Sequence, residues 1–131
     1  MDRIRAGFVG FGEVNTPRDI IERKCAEARR LLEAEGLELV WTEPVSDDPG
    51  GRDVARAREE LGRQGFDLLI LCLAGWIPSH AVIGVADALR HKPMVLPGLT
   101  AWEEGDRFVT TADQAGTTAL RKPMADLGYT F

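Results

Sequence analysis

Apolar residues along this chain fall into two patterns. Short continuous runs bounded by glycine or proline read as buried strands, and stretches with an apolar residue every three or four positions read as helices. The first run, Arg3 to Val9, enters Gly10-Phe11-Gly12, a tight loop after a strand. Thr16-Pro17-Arg18-Asp19 has the composition of a helix start, with Thr16 as N-cap, Pro17 in the first turn and Asp19 closing a capping box. Ile21, Cys25, Ala28 and Leu32 follow at spacings of four, three and four, and Gly36 stops the helix.

The same alternation continues. Leu37 to Trp41 reads as a second strand, and Glu43 to Gly51 as a loop. A helix from about Asp53 to Gln64 turns Val54, Ala57 and Leu61 inward. Phe66 to Leu73 is a third strand, apolar on both faces as in the middle of a parallel sheet. After the loop Ala74–Ser79, a helix buries Val82, Ile83, Ala86 and Leu89 and closes at Lys92-Pro93. Met94 to Leu96 is a fourth strand, Pro97 to Asp106 a longer loop, and Phe108-Val109 a short strand. Asp113 to Leu127 reads as a helix weakened by Gly116 and Pro123, and Tyr129 to Phe131 as the opening of a fifth strand. The pattern predicts one α/β domain over residues 1–131, a doubly wound parallel sheet with helices on both faces. The five strands of the alternation, leaving aside the short Phe108-Val109 pair, favour the flavodoxin-like order 2-1-3-4-5 in a three-layer sandwich.

Composition changes this picture little. A length of 131 residues, with 44% hydrophobic and 28% charged positions, is enough to bury a real core. A net charge of −5 disfavours nucleic acid and anionic membranes as partners. Arg18, Arg23, Lys24, Arg29 and Arg30 alternate with acids and read as a solvated helix face. Cys25 and Cys72 lack metal-ligand spacing and read as reduced core thiols, as in a cytoplasmic protein. No stretch approaches the roughly 18 apolar residues of a membrane span.

In an open parallel sheet, ligands bind beyond the carboxyl ends of the strands, so a site belongs in the loops there. Gly10-Phe11-Gly12-Glu13-Val14-Asn15 approaches the dinucleotide fingerprint, but Asn15 replaces the third glycine and Glu13 puts a carboxylate where a pyrophosphate would sit. Arg18 is either a flat donor fork for a carboxylate or a vicinal diol, or a surface cation paired with Glu22. Trp76 is either a lid on the core or a stacking platform, and Trp102 carries the same two readings. His80 begins a helix as a surface or capping residue, or as a base. No P-loop, nucleophile elbow or metal cluster is present in the sequence.

Three segments together resemble the N-terminal part of the L-fucose isomerase/L-arabinose isomerase-like proteins. They are Gly10-Phe11-Gly12-Glu13-Val14-Asn15-Thr16-Pro17-Arg18, Cys72-Leu73-Ala74-Gly75-Trp76-Ile77-Pro78-Ser79-His80, and Thr111-Ala112-Asp113-Gln114-Ala115-Gly116-Thr117-Thr118-Ala119-Leu120. The resemblance implies a flavodoxin-like first domain of an aldose–ketose isomerase that uses a divalent metal, usually Mn2+. It implies that Arg18 and Trp76 contact the sugar from a neighbouring subunit's domain. Glu13, Asn15 and His80, in the same segments, complete the expected substrate-binding set. The family's metal ligands lie in later domains, so the chain is expected to hold neither catalytic nor metal residues, and to stop before the metal site. The segment from Val95 to Ala101 departs from the family pattern, in which a large residue often precedes the glycine.

The expected partners are a sugar or polyol at the strand C-terminal edge and the remaining domains of the parent enzyme. An unpaired edge at the last strand makes a homo-oligomer a further expected assembly. Two rival readings stay open: a free-standing small-ligand module for a nucleotide or flavin, and an engineered or reconstructed fold fragment without activity.

Overall fold

The computed structural model describes residues 2–131; Met1 lies outside the described residues. Its elements are β1 (Arg5–Phe11), α1 (Arg18–Ala34), β2 (Glu38–Trp41), α2 (Arg52–Gly62), β3 (Leu68–Leu73), α3 (Ser79–Asp87), β4 (Met94–Val95), β5 (Trp102–Glu104), β6 (Arg107–Val109) and α4 (Asp113–Asp126). Four strands form a parallel sheet in the order β2-β1-β3-β4, and β5 and β6 form a separate antiparallel hairpin.

The expected order 2-1-3-4-5 is corrected to 2-1-3-4. Residues 129–131 form no strand, although Met94 N–H donates to the Thr130 carbonyl at 3.0 Å. The reason lies in β4, which is two residues long and flanked by Pro93 and Pro97. Proline supplies no N–H to a ladder, so β4 offers its outer neighbour almost no rungs. Tyr129 instead turns inward, 7% exposed, with its hydroxyl 3.1 Å from Asp87 Oδ1.

The alternating faces of β1 and β3 divide the core. Ala6, Phe8, Ile70 and Cys72 point to one side, where Ile21 and Cys25 of α1 cover them. Val9, Phe11, Leu69, Leu71 and Leu73 point to the other, against Leu61 of α2, Val82 and Val85 of α3, and Leu120 and Met124 of α4. The three layers are therefore unequal, with one helix on one face and three on the other.

α1 lies close to the sheet because two glycines yield to it. A Cβ on Gly10 would meet Cys25 Sγ at 2.1 Å, and one on Gly12 would meet Ile21 Cδ1 at 2.4 Å. These glycines serve packing of the helix. At its outer end α1 lays Arg29 over the ring of Trp41 on edge strand β2, 3.7 Å from the centroid.

Helix ends differ from the sequence expectation. Thr16 makes no capping bond, and Pro17 occupies the N-cap position of α1. α2 is capped from a distance, since Asp48 Oδ2 and Oδ1 accept from the N–H groups of Arg52 and Asp53 at 2.9 and 3.0 Å. α4 runs through both Gly116 and Pro123, and begins after Ala112 in the left-handed conformation at φ 57°. The hairpin partner of the expected 108–109 strand is Trp102–Glu104, turned by Gly105 at φ 65°.

Two substitutions test this packing by urea denaturation. Gly10→Ala destabilises the fold by about 1–3 kcal/mol, and adding Cys25→Ala makes the combined loss smaller than the sum of the two. Ala112→Gly, which removes a left-handed Cβ penalty, stabilises by up to about 1 kcal/mol.

Candidate functional site

The C-terminal ends of β1 and β3 deliver two loops to one rim. Backbone hydrogen bonds join them. Gly75 N–H donates to the Phe11 carbonyl at 3.1 Å, Glu13 N–H to the Trp76 carbonyl at 2.8 Å, and Trp76 N–H to the Thr111 carbonyl at 2.8 Å. A cavity of about 340 Å3 opens beside the first loop, lined by Glu13, Asn15, Thr16, Arg18 and Ser46 among others.

The loop's amides are already engaged. Gly12 N–H donates to the Val45 carbonyl at 3.1 Å, Val14 N–H to Asp47 Oδ1 at 2.9 Å and Thr16 N–H to the Glu13 carbonyl at 3.1 Å. With Glu13 N–H on Trp76, four amides of this turn have protein acceptors. A phosphate cradle requires such amides to point at the ligand. Here three of them stitch the turn to its neighbours and the fourth closes the turn on itself, which argues against nucleotide binding at this loop.

Arg18 lines the cavity with its guanidinium tied to the β2 side. Its Nη2 donates to the Pro44 carbonyl at 2.7 Å, its Nε to Glu22 Oε1 at 3.2 Å, and Nη1 lies 3.6 Å from Asp53 Oδ2. Arg56 shares the Pro44 carbonyl at 3.0 Å and approaches Asp53 Oδ1 at 3.4 Å. Asp53 also accepts from the Ser46 N–H at 2.9 Å and hydroxyl at 2.7 Å. Burial opposes ionisation of Asp53, but the Ser46 bonds and Arg56 outweigh it and hold the carboxyl below its ordinary range. Arg18 thus has the expected pairing with Glu22 and a second role bracing the β2–α2 loop.

Among the described residues, no hydrogen bond engages the side chain of Glu13 or Asn15; both face the cavity mouth. Trp76, 38% exposed, stands on the same rim, but its ring leans over Gly116 of α4, where a Cβ would meet Cε3 at 3.6 Å. His80 is exposed in the first turn of α3 and does not line the cavity. The fold gathers Glu13, Asn15 and Arg18 at one mouth, sets Trp76 beside them and leaves His80 apart.

Two features of this edge escape sequence reasoning. Lys24, expected on a solvated face, is nearly buried and pairs with Asp113, which is wholly buried. Lys24 Nζ also donates to Thr111 Oγ1 at 3.0 Å, and that hydroxyl donates to the Ala74 carbonyl at 2.6 Å. Trp102 lies against Lys24, its centroid 5.4 Å from Nζ. Lys24 and Asp113 are 89 positions apart, and no local pattern links them. The second feature is the thiol pair. Cys72 beside it lowers the Cys25 pKa against the effect of burial, helped by Arg29, Arg18 and Lys24. The neighbouring Cys25, with burial, drives the Cys72 thiol well above its ordinary value.

Compared with known protein families and with curated proteins, the sequence matches none. Among the described residues, no three of His, Cys, Asp and Glu come together to hold a metal ion. Among the described residues, no helix is long and apolar enough to cross a membrane.

Breaking the buried pair separates this network from ordinary surface charge. Lys24→Met leaves Asp113 uncompensated and costs about 3–5 kcal/mol in urea denaturation, while Lys24→Met/Asp113→Leu costs less than the single change. Acid sensitivity tests the second cluster. Because folding lowers the Asp53 pKa, the ionised carboxylate favours the folded state above its ordinary value of 3.8, and that contribution is lost as pH falls toward the folded value. Asp53→Asn lowers the urea midpoint at neutral pH and loses less than the parent protein on moving to about pH 3.

Proposed function

We propose that this protein is the sugar-recognition and assembly domain of a metal-dependent aldose–ketose isomerase of the L-fucose/L-arabinose type, not catalytic alone. The observation that carries the reading is where the three resembling segments lie. Residues 10–18, 72–80 and 111–120 are far apart in sequence, yet Glu13 N–H bonds the Trp76 carbonyl and Trp76 N–H bonds the Thr111 carbonyl. The three segments on which the family likeness rests thus meet at one rim.

The chemistry of that rim suits a polyol. Arg18 and Glu13 supply a donor and an acceptor for adjacent hydroxyls, Asn15 supplies both, and the half-exposed Trp76 offers an apolar face to the C–H groups of a cyclic or open sugar. His80 belongs to the outer margin, where it would meet a neighbouring domain. Mn2+ supplies the Lewis acid for carbonyl–hydroxyl exchange in enzymes of this type. The donor set of the described residues does not fit it: the carboxylates of Asp53 and Asp113 are committed to Arg and Lys. No step at a metal is therefore assigned to this protein. The flavodoxin-like class belongs to the same proposal and rests on the four-strand order β2-β1-β3-β4, without a fifth strand.

Tryptophan fluorescence tests the reading, with Trp76→Phe assigning the signal. L-Fucose, L-arabinose and their reduced polyols give a saturable change, and FMN and NAD give none. Arg18→Lys keeps the charge, loses the flat fork and weakens binding roughly tenfold. Indifference to every polyol, or a response to a nucleotide only, sinks the proposal. Turnover of an aldose by this protein with added Mn2+ would refute its non-catalytic part.

A further inference from the structure

The face of the sheet covered by one helix, α1, carries an apolar groove of about 640 Å3, between α1 and the segment entering β5. Ala28, Leu31, Leu99 and Trp102 form its walls. Leu31 is 52% exposed, and Val95, whose register partner Ile70 lies in the α1-side core, is 47% exposed. Arg23 and Arg30 stand on its rim, with one carboxylate, Glu27, paired to Arg30 at 2.6 Å. Parallel sheets bury both faces, so this surface is built to be covered.

The hairpin β5–β6 carries the complement. Trp102 faces Val109 across the ladder, and both are half-buried against the domain. Side chains alternate along a strand, so the next pair, Glu103 opposite Phe108, emerges on the opposite face. Phe108 is 76% exposed, the most exposed large apolar residue among those described, and Asp106 adds a second carboxylate at the turn. On the face of Phe108 the hairpin therefore presents an aromatic residue beside Glu103 and Asp106, with Glu104 and Arg107 opposite each other on the other face, and the groove presents an apolar trough rimmed by Arg23 and by Arg30 with its partner Glu27.

We infer that the groove is occupied by the β5–β6 hairpin of a second copy of this protein, with Phe108 as the anchor. The hairpin cannot fold back into its own groove, because Trp102 at its base already forms one wall. Groove and hairpin lie side by side, so a two-fold axis next to them lets each copy fill the other, a closed and self-complementary arrangement. Charge specifies the pairing, with Glu103 and Asp106 of one copy meeting Arg23 and Arg30 of the other. The trough is large enough to accept a phenyl ring with its flanking residues.

Sedimentation velocity over a concentration series tests the assembly on the 131-residue chain. The parent protein forms a dimer. Phe108→Ser and Leu31→Glu, both at exposed positions, keep the parent far-ultraviolet circular dichroism and each weakens association roughly thirtyfold or more. The decisive sample is their equimolar mixture. It regains a heterodimer, because one intact hairpin then meets one intact groove. A parent protein that stays monomeric throughout overturns the inference, as does a dimer indifferent to both substitutions or a mixture that stays monomeric. Uptake of a foreign amphipathic peptide by a monomeric parent protein would equally reject it and assign the groove to another partner.

Discussion

The seating of α1 on the sheet is the constraint from which the rest follows. Gly10 and Gly12 remove the side chains that would hold the helix away, and Gly75 does the same from the neighbouring loop, where a Cβ would meet Ile21 Cδ1 at 2.9 Å. Ile21 and Cys25 descend into the space. Only at that depth can Lys24 reach Asp113 and Thr111, and only then do the β1 and β3 loops lie near enough to share backbone hydrogen bonds. Packing at three glycines thus sets the geometry of a polar rim some residues away.

Electrostatics then rigidifies what packing has placed. On one flank Arg18 and Arg56 converge on the Pro44 carbonyl and Asp53, tying the helices that follow β1 and β2. On the other flank Lys24 ties α1 to the start of α4. Glu13 and Asn15 lie between two braced flanks, which limits how far the mouth can deform. The free polar groups in the middle therefore sit on rigid support.

Much of the fold was legible because the periodicities are strong. Ile21, Cys25, Ala28 and Leu32 mark α1, and Leu68 to Leu73 mark a strand buried on both faces. The misses have physical causes. Tyr129 to Phe131 has strand-forming residues, but β4 is too short and too proline-bounded to template a neighbour. Thr16 has the right chemistry for a cap, yet its turn is held by Asp47 and Trp76 instead. At the site, Glu13, Asn15 and Arg18 were legible from position alone, as residues after a β1 strand. The partners of Arg18 and Lys24 were not, because Pro44, Asp53 and Asp113 come from distant segments and a linear pattern contains no such distances. The half-pair of the hairpin, Trp102 to Glu104, was hidden by acids that read as loop.

The unequal layers have a consequence for how the fold opens. Cys25 is carried by α1 and Cys72 lies beneath it, on the side covered by a single helix, whereas three helices shield the opposite side. Excursions that lift α1 while leaving the other side intact bare both sulfurs at once, and full unfolding is not required. The thiols are therefore a built-in reporter of partial opening: their alkylation follows the detachment of one helix, and its rate separates that event from global denaturation.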